Sequence, residues 1–177
     1  MHNVRWETLF QDLQSQYDAA AREEQDLQVV ELAEAEVGTV RLSDRIRART
    51  GSDLRVRLRS GDGLHGRVLD AAPQWFLLAE GDRRTVVPVD AVAMAWPLGR
   101  AAPEAGVAES RLRITHVLRG LARSEALVQV SSDAGRYTGW LERVGADHVD
   151  LRPQRPSVRG EELVSLTLTS LLSVSHP

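Results

Sequence analysis

Apolar and polar positions along the chain fall into two distinct periods. From residue 5 to 37, Trp6, Leu9, Phe10, Leu13, Tyr17, Ala20, Leu27 and Val30 recur at three- and four-residue steps. That is the stripe of an amphipathic helix, and Glu, Gln, Ala and Leu fill the rest. The seam thins around Glu23–Asp26, so the first half is expected to pack most firmly. After Gly38 a second helix is expected over about Val40 to Arg49, carrying Val40, Leu42 and Ile46.

The period then drops to two. In DLRVRLRSGDG, Val56 and Leu58 alternate with Arg55, Arg57 and Arg59, as in a half-buried strand. LHGRVLD and QWFLLAE read as further strands. TVVPVDAVAMAW reads as a strand, a tight turn near Asp90 and a last short strand. A Pro-, Ala- and Gly-rich stretch at 97–110 reads as a linker.

The same pattern returns. Val56 and Leu58 align with Val128 and Val130, and Gly63 with Gly135. After a turn read as one residue longer, Gly66 aligns with Gly139 and Val68 with Leu141. Phe76 and Leu78 align with Val149 and Leu151, and VPVDAVAMA with LTLTSLLSV. Each unit is expected to hold one helix and five short strands, an internal duplication.

This unit, with its VxL strand, bend glycine and V-P-V-x-x-V ending, resembles the Sm-like family and its Hfq branch over 40–97 and 111–177. The resemblance implies small β-barrels whose strand bends at Gly66 and Gly139, with the short turn at Ala91–Val92 and Ser170–Leu171. The family's uridine-binding residues do not carry over. APQWFLL and ADHVDL stand where its Asp and Asn would be, and only Asp147 matches the acid. VDAV and LTSL replace the basic pair of the last turn. The whole chain also resembles a group of actinobacterial proteins, some labelled Fis-type transcription regulators, although no helix-turn-helix is visible to support that label.

The expected fold is therefore α+β: a helical arm (1–39), a first Sm-like barrel (40–97), a linker (98–110) and a second barrel (111–177). Charge follows the same divisions. Residues 1–39 hold nine acids and two arginines, 40–100 eleven arginines and seven acids, and 101–177 nine of each. The acidic arm could lie against the basic module, or the basic module could meet nucleic acid.

Chemistry is sparse. The absence of cysteine removes disulfides and thiol catalysis. Lysine is also absent, so arginine supplies every basic side chain. No apolar run reaches the roughly 20 residues of a membrane helix, and no signal peptide is visible, so a cytoplasmic protein is expected. His65, His116 and His148 are scattered and suggest no metal site. GDGLHG at 61–66 has the spacing of a dinucleotide fingerprint, but it leads from one strand into another and not into a helix. It reads as a hairpin and a barrel bend. No cofactor, membrane contact, small-molecule substrate or enzymatic activity is expected.

Two surfaces remain. Arg45, Arg47, Arg49, Arg55, Arg57 and Arg59 form a basic cluster that would suit phosphates. Trp6, Phe10, Leu13, Tyr17, Trp75 and Trp140 are candidate interface residues. The leading expectation is a binding or scaffold protein acting through protein–protein contacts or self-association. The alternative is a nucleic-acid-binding regulator using Arg41 to Arg59.

Overall fold

The alternation in DLRVRL is realised in strand β1 (Asp53–Leu58), where Leu54, Val56 and Leu58 are buried and Asp53, Arg55 and Arg57 are exposed. In this computed structural model the described residues are 38–155 and 162–176. The expected arm helix, with Trp6, Phe10, Leu13 and Tyr17, lies outside them. Arg41–Pro177 forms one compact unit, which holds the ten strands of the described residues.

Strands β2 (Gly63–Ala71), β3 (Trp75–Glu80) and β4 (Arg83–Pro88) follow as an antiparallel meander, and β5 (Val92–Trp96) returns to pair with β1. A 3-10 turn, Val89–Ala91, joins β4 to β5. The second half repeats this order with β6 (Leu127–Ser132), β7 (Gly135–Val144), β8 (His148–Pro153), β9 (Val164–Thr167) and β10 (Leu171–Ser175). A second 3-10 turn, Leu168–Ser170, precedes β10.

Among the described residues, the helices α1 (Leu42–Arg47), α2 (Val107–Arg111) and α3 (Ile114–Arg123) accompany the strands. In α3 the apolar residues Ile114, Leu118, Leu121 and Ala122 lie along one face, and they pack on the core built from Val128, Val130, Leu141 and Leu151. Ile46 of α1 enters the equivalent core of the first half, with Leu54, Val68, Phe76 and Leu78.

The expectation of an α+β protein with two helix-plus-five-strand barrels is overturned. The fold is mostly β, with short helices, and the ten strands form one open antiparallel sheet in the order β5-β1-β2-β3-β4-β10-β6-β7-β8-β9. A closed barrel in the first half would need β4 to pair with β5. Instead, β4 pairs with β10, Val86 opposite Val174 and Thr85 opposite Ser175. Leu172 of β10 completes the first half's core, so the two halves share packing as well as hydrogen bonds.

The strand pairing also corrects the internal alignment. Gly66 sits opposite Leu54, and Gly139 opposite Val128. Leu54 is therefore the counterpart of Val128, and Val56 of Val130. The second hairpin is one residue shorter, not longer. A two-residue slip keeps every side chain on its own face, so periodicity cannot detect it. Downstream the halves agree: Val68 faces Leu78 as Leu141 faces Leu151, each just before a bulge.

Both bend glycines are required by close approach. A Cβ on Gly66 would lie 2.5 Å from the Ala79 carbonyl oxygen, and one on Gly139 would collide with the Arg152 carbonyl. The first strand pair of each half can cross its neighbour only where no side chain intervenes.

Candidate functional site

Among the described residues the sheet has two strands with one neighbour each, β5 and β9. Burial registers the difference. Every residue of β10 is buried, even Ser173 and Ser175, because strands flank it on both sides. Its counterpart β5 leaves Met94 57% and Trp96 40% exposed. At the other edge, Leu166 of β9 is buried while Ser165 and Thr167 are exposed. Unpaired edge strands present rows of backbone donors and acceptors to other chains.

The arginine cluster divides into two populations. Arg45 donates to the Gly99 carbonyl, and Arg47 donates to the Pro103 carbonyl and to the carboxylates of Asp44 and Glu109, the last at 2.6 Å. Arg49 donates to the Asp53 carbonyl, and its Nε is buried without a hydrogen-bond partner. These three fasten α1 and the 99–109 segment to the sheet. Arg59 leaves the end of β1 to reach Asp133, Asp90 and the 3-10 turn of the second half.

Arg55 and Arg57 differ. Both are exposed, and their guanidinium groups make no hydrogen bond or ion pair among the described residues. Arg55 sits between Trp96 on β5 and His65 on β2, and Arg57 between Met94 and Gly63. Arg67, opposite Asp53 on the same face, is likewise exposed and unpaired among the described residues. So two of the six expected arginines remain available, joined by Arg67 and Trp96. The sequence alone does not single out Arg67 or Trp96, since cross-strand register places them there and local periodicity does not report it.

Trp75 and Trp140 both make contacts within the chain. Trp75 is 5% exposed, packs with Ala72 and Val86 near Ile114 and Val117, and donates its indole N–H to the Leu112 carbonyl at 2.7 Å. It therefore joins the two halves. Trp140 lies on the face opposite buried Gly139 and Leu141, with the Arg152 guanidinium 4.9 Å from its ring centroid.

A further ion pair crosses between the halves. Asp62, in the β1–β2 turn, accepts from Arg136 of β7 at 2.9 Å. That hydrogen bond, and a second from Ser60, hold the Asp62 carboxyl below its ordinary pKa. Asp147 is lowered by its hydrogen bond to His148. His65 meets Glu80 at 3.0 Å. Among the described residues, no group of three or more His, Asp or Glu side chains is placed to hold a metal ion, and no helix is long and apolar enough to cross a membrane.

No family model matches the chain, and no curated protein matches it in sequence.

Proposed function

We propose that this is a non-enzymatic binding and scaffold protein that associates with further copies of itself through the open edges β5 and β9. The observation that carries this reading is the β4–β10 junction. By strand register β9 is the counterpart of β4, since Phe76 faces Val87 as Val149 faces Leu166. β10 is the counterpart of β5, since Val130 faces Val174 as Val56 faces Ala95. The chain thus already pairs a strand of β4 type with one of β5 type internally. Among the described residues it leaves the complementary pair, β9 and β5, unpaired at the two ends of the sheet.

Translating the internal register outwards sets Ser165 of one copy opposite Ala95 of the next, and Val164 opposite Trp96. Such a contact is heterologous, joining head to tail, and leads to a ring or an open filament. Pairing would also cover Met94 and Trp96. Light scattering across a concentration series tests the reading. A mass above one chain that persists after removal of residues 1–37 supports the edges as the contact. A single-chain mass at every concentration overturns it.

A second reading rests on Arg55, Arg57, Arg67 and Trp96. Three unpaired guanidinium groups beside an exposed indole suit a single-stranded nucleic acid, with phosphates on the arginines and a base stacked on the ring. It requires affinity that falls steeply with salt and is lost in Arg55→Glu with Arg57→Glu. Affinity unchanged by that pair of substitutions would remove this reading and leave the scaffold reading untouched.

A further inference from the structure

Where the two halves meet, the surface carries a cleft of about 640 Å³, within the size range of small-ligand sites. Arg111, Arg113, His116 and Arg119 line it, and among the described residues Asp90 is the one carboxylate in its lining. Several arginines elsewhere meet carboxylates: Arg47 with Glu109, Arg136 with Asp62, Arg152 with Glu142. Here they do not. Among the described residues the side chains of Arg111, Arg113 and His116 make no hydrogen bond or ion pair, and Arg119 makes only a long one, 3.5 Å to the Val144 carbonyl.

Arg59 adds a fixed cation to the same lining. Its guanidinium is held by Asp133 and by the carbonyls of Asp90, Thr169 and Leu171. The remaining surface includes Ile114, Leu168 and Leu171. Uncompensated cations around one concavity repel one another, and low-dielectric walls focus their field outwards. An anion relieves that repulsion, and the planar guanidinium fork matches phosphate oxygens bidentately.

We propose that this cleft binds a small organic phosphate. Arg111, Arg113 and Arg119 take the phosphoryl oxygens, and Ile114 and Leu168 take an apolar or planar body. The lining favours a small molecule over a nucleic-acid strand because, among the described residues, no Trp, Tyr or Phe lies in it to stack successive bases. The site is independent of edge pairing and of Arg55 and Arg57, neither of which lines it.

Calorimetric titration of the full chain with ATP, ADP and inorganic phosphate at low salt tests the proposal, with a short single-stranded oligonucleotide as a separate arm. ATP or ADP should bind. Arg111→Gln with Arg113→Gln should weaken that binding about tenfold or more, as loss of charge-assisted bonds implies. Arg100→Gln with Arg123→Gln, two exposed arginines outside the lining, should leave it unchanged. Should the first variant fail to fold, Thr169→Trp, which keeps every charge and obstructs the cleft, should weaken binding similarly. Absence of binding by all three phosphates at millimolar concentration overturns the proposal, as does binding that ignores both cleft variants. An oligonucleotide that binds through the cleft arginines and is not displaced by ATP overturns the assignment to a small molecule.

Discussion

Arg59 grips both carboxylate oxygens of Asp133 along one edge of its guanidinium, Nε at 3.1 Å and Nη2 at 3.0 Å, across a sequence separation of 74 residues. The same side chain donates to the Asp90 carbonyl in the first half and the Thr169 carbonyl in the second. It pins the two halves of one sheet together. The Asp133 side chain is 52% exposed, so the ion pair alone should couple by only about 0.5–1.5 kcal/mol in a double-mutant cycle. Arg59→Ala should cost more than Asp133→Ala, because it also removes the donors to the backbone carbonyls. Arg59→Lys should restore little, since an ammonium cannot reproduce the fork. Chemical denaturation of the parent chain, the two alanine variants, their double variant and Arg59→Lys reads these differences directly.

The bend glycines give a sharper contrast. Gly66→Ala and Gly139→Ala place a methyl against backbone that cannot move aside, and should each destabilise by about 1–3 kcal/mol or more. Gly63→Ala, where an added Cβ meets nothing within 4 Å, should cost far less. Equal effects at all three positions would contradict the bend.

Trp75 should behave as a buried tie between the halves and not as a partner-binding surface. Trp75→Phe keeps most of the apolar area and loses the bond to Leu112, a change of about 1 kcal/mol. Trp75→Ala should cost about 3–5 kcal/mol. Thermal melts of both variants separate these cases.

Acid should loosen the junction. The Asp62 carboxyl is held below its ordinary pKa by Arg136, so its contribution is present above the unfolded carboxylate value and is lost as pH falls through the lower folded value. Asp62→Asn should therefore melt earlier than the parent chain at about pH 7, and the gap should close in acid at about pH 3 and below. Melting temperatures of both chains across that range check the sign.

The elements were legible because they are local. Arg55, Arg57 and Arg59 alternate with apolar residues, and the repeated glycines mark two equivalent bends. The joining of the halves was not legible. LLSVS reads as an ordinary half-polar strand, and Ser173 and Ser175 become buried only because β4 and β6 flank them. A backbone edge carries no signature of which distant strand will pair with it. The arginine cluster misled for a related reason. Arg47 and Arg57 look alike in the sequence, but Glu109 is folded against the first and, among the described residues, no acid against the second.

The central claim, that β9 of one copy pairs with β5 of the next, is tested most directly by cross-linking. The chain has no cysteine, so Ala95→Cys with Ser165→Cys introduces the only thiols. In antiparallel pairs opposed Cα atoms lie about 4.5–5.5 Å apart, within the reach of a disulfide. Mild oxidation of the double variant should yield covalent dimers and higher multimers on non-reducing electrophoresis, while each single variant stays a single chain. A double variant that remains monomeric, or single variants that cross-link as readily, would contradict the account.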